Sequence, residues 1–374
     1  MKLPHRGAYP VIGLAIFLSF SAAAERITHH FPALKNPAED VRGAIGPAAL
    51  EGSQTLRMHF IDVGQGDCIL IEAPNGKVLL VDCGSNTFYK GAPVDTYRQA
   101  AHSVRDYIHE ALKNDAPQIE TLVISHPDTD HYDLLPYVLG GSRVARVLAS
   151  GPRSEHAAKT LTPAGDLNSN ALAQWVKQDC GNHWTRLGSA QASAPGLDGF
   201  GKMAVVVLAA NVEKEGESKN ARSIVLKLSY GDFDCILEGD GEGSTERAVL
   251  ASTKSADRLD CEVLKVAHHG ANTRGSSGAK WLDAVSPEVA ILSAGYDAMH
   301  GHPSEKAVAR LAEKTLPAPP HKLRVWSNKD THNDLEGCEE ALYSTATNGT
   351  ICISTDGHAY NVAFDSAPPH PWRE

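Results

Sequence analysis

The chain has 374 residues, 42% of them hydrophobic and 21% charged, with a formal net charge of −10. That length and apolar content suffice for one large domain or two smaller ones with a sizeable core, and they exclude disorder as the default. The acidic balance and the absence of any Lys/Arg-rich run argue against broad nucleic-acid binding and leave at most a locally basic groove.

Residues 1–24 read as a secretory leader: Lys2 and Arg6, an apolar run from Val11 to Phe20, then Ser21-Ala22-Ala23-Ala24 before a cleavage point. The competing reading, an uncleaved anchor, meets an apolar run of 10 residues, against the roughly 20 a bilayer span needs. Cleavage would remove two basic residues and take the charge from −10 to −12. No later segment is apolar enough to span, so a soluble periplasmic or secreted protein is expected. Residues 25–54 lack periodicity and form a lead-in segment; a single domain is expected over 55–365.

Strands are expected at 57–63, 67–73 and 77–82. Between the last two lies Pro74-Asn75-Gly76, and an Asn-Gly turn there would set Cys68 opposite Cys83, bonded or adjacent. A helix near 95–113 carries Tyr97, Ala101, Val104, Ile108 and Leu112 on one face, which leaves His102 and His109 outside the buried stripe. The β-branched run Ile119 to Ile124 predicts a buried strand. Strand 144–149 and a helix near 168–179 follow, and residues 181–202 are assigned to no element. A second series has strands at 204–209, 223–229 and 233–237, a helix near 242–252, strand 262–267, a helix near 277–285, strand 289–293 and helix 304–314. Strands at 322–326, 350–355 and 358–364 close the chain. Two such blocks of strands mixed with helices fit two packed sheets with helices outside, a four-layer α/β arrangement with mixed sheets.

Seven cysteines in an exported chain invite disulfides. Besides Cys68 with Cys83, the pairs Cys338 with Cys352 and Cys235 with Cys261 are weaker expectations, which leaves Cys180 over. No C-x-x-C pair exists, so a cysteine zinc site is not expected.

The densest chemistry is Ser125-His126-Pro127-Asp128-Thr129-Asp130-His131, on the loop leaving the 119–124 strand. Pro127 and the Asp/Thr cluster stop the strand, so imidazoles and carboxylates can turn toward one point. This donor mixture suits zinc, manganese or iron, and two ions can share such a cluster. Taken singly, each of these side chains reads as a polar turn residue; four together within six positions do not. Further polar groups end other predicted strands: Gly239-Asp240, Lys265-Val266-Ala267-His268-His269-Gly270, and Gly301-His302-Pro303-Ser304, where Ser304 could simply cap a helix. Converging ligands from separate strand ends are what a two-metal hydrolase needs.

With Phe60 to Asp67 (Phe-Ile-Asp-Val-Gly-Gln-Gly-Asp), Leu80-Val81-Asp82-Cys83-Gly84, Asn220-Ala221-Arg222-Ser223 and Asn348-Gly349-Thr350-Ile351 added, the chain resembles the metallo-β-lactamase fold hydrolases over about residues 56–360. Within them it is similar to the lactamase-like domain of the ComEC competence proteins, which act in DNA uptake. The resemblance implies a four-layer αββα sandwich and a site for two divalent ions, zinc first and manganese as the alternative. Carried over by position, His126 and Asp128 would bind one ion and Asp130 and His131 the other. Asp240 would bridge them, and His268 would complete a shell, with His269 as the alternative to His268.

The family pattern H-x-H-x-D-H has Asp128 at its second histidine here, as ComEC-like members commonly do. Asn220 stands where another histidine is usual, as a weak oxygen ligand or a substrate contact. Asp62, Asp67 and Asp82 would orient the ligands or stabilise the fold, although Asp62 and Asp67 also read as turn residues. The implied activity is hydrolysis of phosphodiesters or related esters by a hydroxide held between the ions, with Asp130 orienting or deprotonating the water. His302 would contact the leaving group or a substrate oxygen. Two other readings stand beside this one: a nuclease acting on extracellular DNA, which the acidity disfavours, and an exported binding protein on the same fold without activity.

Overall fold

The computed structural model describes residues 54–85, 94–188, 196–212, 218–252, 259–295 and 300–365. The expected leader and the lead-in segment through residue 53 lie outside these.

The first strands, β1 (Leu56–Phe60), β2 (Cys68–Glu72) and β3 (Val78–Cys83), form an antiparallel meander. Helix α1 (Val94–Leu112) then crosses to β4 (Thr121–Ile124), parallel to β3. The short α2 (Leu135–Val138) leads to β5 (Val147–Ala149), and α3 (Ala171–Asp179) to β6 (Thr185–Arg186), both parallel additions. The second series is β7 (Ala204–Ala209), β8 (Val225–Tyr230) and β9 (Phe233–Leu237), antiparallel. Then come α4 (Gly243–Ser252), β10 (Val263–Lys265), α5 (Ala279–Val285), β11 (Val289–Leu292) and α6 (Glu305–Ala312), with β10 parallel to β9 and β11 parallel to β10. A hairpin of β12 (Pro317–Asn328) and β13 (Thr331–Glu340) precedes β14 (Leu342–Ser344), α7 (Thr345–Asn348), β15 (Thr350–Thr355) and β16 (Tyr360–Asp365).

The two main sheets have the orders β6-β5-β4-β3-β2-β1-β15-β16 and β7-β8-β9-β10-β11-β14. Strand alternation decides what each face meets. Met58, Ile71, Leu79 and Val81 of the first sheet face Leu226, Leu228, Val263 and Ile291 of the second in one shared core. Leu70 and Leu80 point the other way, against Tyr97, Val104 and Ile108 of α1 and Trp175 of α3. Ile236, Leu264 and Leu292 likewise meet Trp281 of α5 and Leu311 of α6. The result is the expected four-layer αββα sandwich with mixed sheets. On α1 the predicted stripe is buried except Leu112, which is partly so; His102 is exposed and His109 half-buried.

Three expectations need correction. Strand 322–326 is the centre of the longer β12–β13 hairpin, whose second arm is mostly exposed and polar and so carried no alternation to read. The hairpin between β2 and β3 is not a two-residue Asn-Gly turn: Glu72 pairs with Val78, and Gly76 takes the left-handed position (φ 79°) of a three-residue loop. A bulge after Cys68 then restores the Cys68–Cys83 pairing, with the sulfurs 2.9 Å apart as free thiols. The other two cysteine pairs are not bonded either, and Cys338 on β13 and Cys352 on β15 belong to different sheets.

Gly84, just after β3, lies against the His/Asp loop: a Cβ there would come 2.4 Å from the Asp130 carbonyl carbon and 2.5 Å from the nitrogens of His131 and Tyr132. Backbone cannot yield as a side-chain tip does, so Gly84→Ala is expected to cost about 3 kcal/mol in urea unfolding. A loss under about 0.5 kcal/mol, the usual range for a harmless surface change, would mean that the loop is not pressed against β3.

Candidate metal centre

β4 delivers the His/Asp loop. At its end the Ser125 N–H donates to Asp82 Oδ1 at 2.6 Å, the chain turns at Pro127, and Thr129–His131 close a 3-10 turn. The loop backbone is clamped from the first sheet, where the Asp67 N–H donates to the Asp130 carbonyl at 3.1 Å and the Gly84 N–H to that of Asp67 at 3.0 Å. Two residues beyond β9, Gly239 has φ 54° and no room for a side chain beside Ser125; the next residue, Asp240, is anchored by donating its N–H to Ser223 Oγ at 3.1 Å. Beyond β10, His268 and His269 both have positive φ, 52° and 54°. Extended backbone would send consecutive rings to opposite faces; two left-handed residues in a row turn both toward Asp240. Non-glycine residues are rare in that region, and such strain concentrates at functional sites.

The carboxylate of Asp240 divides the cluster. On one side its Oδ2 lies 3.8 Å from His126 Nε2 and 3.7 Å from His268 Nε2, and Asp128 Oδ2 is 3.7 Å from His126 Nε2. On the other side its Oδ1 lies 3.2 Å from His131 Nε2 and 3.4 Å from His269 Nε2, and Asp130 Oδ2 is 3.4 Å from His269 Nε2. Among the described residues the Nε2 atoms of His126, His131 and His269, and Asp240 Oδ1, are buried without a hydrogen bond. Tetrahedral ligands at about 2.1 Å from an ion stand about 3.4 Å from one another. The spacings therefore fit donors arranged around cations, and His126, His131 and Asp240, or Asp130, His131 and His269, could each hold one.

The opposite edges of the rings are tied down. His131 Nδ1 lies 2.8 Å from Asp82 Oδ2, His269 Nδ1 donates to the Ser293 carbonyl at 2.8 Å, and His126 Nδ1 meets Ser125 Oγ at 3.1 Å. Beneath the cluster Lys265, fully buried, is paired with Asp67 and donates to the Gly239 carbonyl at 3.1 Å. Burial disfavours its charge, yet Asp67 and Asp240 outweigh burial and hold its pKa above the ordinary value. Burial likewise opposes ionisation of Asp240, but His269, His131 and His268 keep it well below the usual carboxylate range. Asp130 is drawn down to about 2, against burial, by its contact with His269. His131 is pushed the other way: burial would lower it, but Asp240 and Asp82 hold it well above an ordinary histidine.

The cluster opens on a cleft of about 540 Å³ lined by Gln65, Asp128, Thr129, Asp130, Asn220, Asp240, His268, His269, Thr273, His300 and His302. All the sequence-predicted site residues therefore come together, with His126 and His131 buried behind the wall. His268 and His269 stand on opposite sides of Asp240, 3.7 Å from its Oδ2 and 3.4 Å from its Oδ1. Asn220 Nδ2 is 3.2 Å from His268 Nε2, and a half-turn of the amide would present its oxygen there instead. His302 lines the cleft with burial pushing its pKa down to about 3, and Ser304 does cap α6. Asp82 Oδ2 is hydrogen-bonded with the His131 ring at 2.8 Å, whereas Asp62 accepts the Gly64 N–H at 3.1 Å as a turn residue. The sequence reading missed Lys265 and Gln65. A lysine inside a buried strand was a usable signal, because it requires a buried acid; Gln65 offered none.

Residues 61–172 match the metallo-beta-lactamase superfamily model. ComE operon protein 3 of Bacillus subtilis (strain 168) is 27% identical over 264 residues, which are 69% of this chain and 30% of that protein. Competence protein ComA of Neisseria gonorrhoeae is 34% identical over 99 residues, 26% of this chain and 14% of that protein. The matched segments thus span less than a third of either relative. Among solved structures, CmlA, a diiron β-hydroxylase from Streptomyces venezuelae, aligns with TM-score 0.36 and 12% identity over 65% of this chain and 45% of its own. The metallo-β-lactamase fold protein YhfI from Bacillus subtilis aligns with TM-score 0.34 and 12% identity over 64% and 85%. The four layers, the superfamily match over residues 61–172 and the two competence-protein alignments together support a ComEC-like metallo-β-lactamase fold.

Proposed function

We propose that this protein is a metal-dependent hydrolase of phosphodiesters or related esters, acting outside the cytoplasm as the leader-like residues 1–24 suggest. The observation that carries the reading is the set of buried imidazole Nε2 atoms around Asp240 with no hydrogen bond among the described residues. In this reading His126, Asp128, Asp240 and His268 hold one divalent ion, with Asn220 beside it, and Asp130, His131, Asp240 and His269 hold the other. Two imidazoles and two carboxylates on each side suit zinc, with manganese as the alternative. Ions bound there would supply Lewis acidity and activate water.

The chain's own groups do the rest. Asp130, ionised at neutral pH, orients the attacking water and accepts its proton. His302, neutral at ordinary pH, hydrogen-bonds a substrate or leaving-group oxygen. Lys219, half-exposed and 3.5 Å from Asp128 Oδ1, places a positive charge at the mouth for an anionic substrate. The competence relatives keep single-stranded DNA among the substrates to be tried, while the net charge of −10 favours a small ester.

Asp240→Ala is expected to lose bound metal by elemental analysis and to lose turnover of a chromogenic phosphodiester; retention of both would sink the assignment. The wild-type panel is that phosphodiester, single-stranded DNA, a lactone and a cephalosporin, with the first hydrolysed and the last not. Asp82→Asn removes the acceptor that fixes the His131 ring, and metal affinity should fall about 10–100-fold; unchanged affinity in a competition titration would remove Asp82 from the site. In the metal-free protein the pKa of His131 is raised, and that of His269 is raised too, against burial, by Asp240 and Asp130. A ligating imidazole must be neutral, so metal binding should tighten with rising pH and release protons. Calorimetry in buffers of different ionisation enthalpy reads this directly, and zero proton release would contradict it.

A further inference from the structure

We infer that Gln65 is a substrate-binding residue whose side-chain amide donates a hydrogen bond to a non-bridging oxygen of an anionic tetrahedral centre, a phosphoryl group in the first place. The inference rests on the hydrolase reading and adds a group that no metal ligation requires.

Gln65 is 6% exposed and lines the cleft. Its Oε1 accepts the Gly295 N–H at 3.2 Å, which fixes which end of the amide is occupied. The Nε2 end has no partner among the described residues, and the side chain lines the cleft. An amide so placed is a donor without a protein acceptor among the described residues.

The backbone holds that donor still. Gly64 and Gly66 flank Gln65 with φ 71° and 153°. A Cβ on Gly66 would lie 2.2 Å from the Gly84 carbonyl oxygen and 2.7 Å from that of Asp130, so the turn is seated on the His/Asp loop itself. Asp62 closes the turn from one side and Ser85, donating to the Val63 carbonyl at 2.6 Å, from the other. Gly295 lets the second sheet approach, since a Cβ there would meet the Gln65 nitrogen at 2.8 Å. A donor fixed by both sheets costs no reorganisation when charge develops on a bound oxygen, the condition under which such donors contribute most to rate.

The test compares metal-loaded wild type with Gln65→Leu and Gln65→Glu. Loss of one preorganised donor predicts that kcat/KM on a chromogenic phosphodiester falls about a hundredfold in Gln65→Leu, and further in Gln65→Glu, whose carboxylate repels the anion. Metal content by elemental analysis and the thermal midpoint should match wild type, which separates this role from a structural one. Wild-type activity in Gln65→Leu overturns the inference. Wild type inactive on every ester tried removes the hydrolase reading, and inorganic phosphate then decides Gln65 alone. Its Kd should rise about tenfold in Gln65→Leu, as expected for a hydrogen bond to a charged group. Equal affinity, or no phosphate binding by the wild type, overturns the assignment.

Discussion

The cluster depends on one buried ion pair, Lys265 with Asp67, which joins the two sheets beneath it. Lys265 is the last residue of β10 and shares the inward face with Val263, two positions earlier; Asp67 immediately precedes β2. A lone charge in that interlayer would cost several kcal/mol, and removing either partner strands the other. The pair also serves a local purpose. Asp67, Asp82, Asp130 and Asp240 are all buried within a few ångströms of three imidazoles. A fixed ammonium under them offsets part of that negative charge, and its bond to the Gly239 carbonyl sets where the next residue, Asp240, begins.

Around that pair the glycines explain why the motifs look as they do. Gly66, Gly84 and Gly239 each sit where a Cβ would come within 3 Å of the His/Asp loop or of Ser125 at its root. The Gly-Gln-Gly-Asp, Asp-Cys-Gly and Gly-Asp segments are therefore three supports for one loop, drawn from both sheets. Close backbone approach, more than ligand chemistry, accounts for Gly66 and Gly84.

Much of this was legible in the sequence because short apolar runs mark buried strands. Val78 to Cys83 and Val263 to Lys265 are runs buried on both faces, and the ligands stand where such runs end. What escaped had physical reasons. β13 presents mostly polar, exposed side chains, so nothing distinguished it from a loop. The Cys68–Cys83 pairing came out as expected for a different cause, since a three-residue loop and a bulge each shift the register. His268 and His269 stood as alternatives because nothing in the sequence announces the two positive φ values that turn both rings toward Asp240.

That convergence alters what Asp128 means. Alone, an aspartate in place of a histidine makes the site rich in carboxylate and shifts it toward harder ions. With both His268 and His269 present, each side of Asp240 has two imidazoles and two acids around it. The side with His131, His269 and Asp130 is the more buried one, and its rings are held by Asp82 and Ser293. The other side has Asp128 with its side chain 37% exposed, His268 18% exposed, and Asn220 and Lys219 alongside. Groups that touch solvent can exchange partners, whereas groups fixed by buried hydrogen bonds cannot without loss. In the proposed reading the more buried side is therefore the anchor, and the more exposed side, which shares the cleft with Gln65 and His302, is where a substrate oxygen would bind.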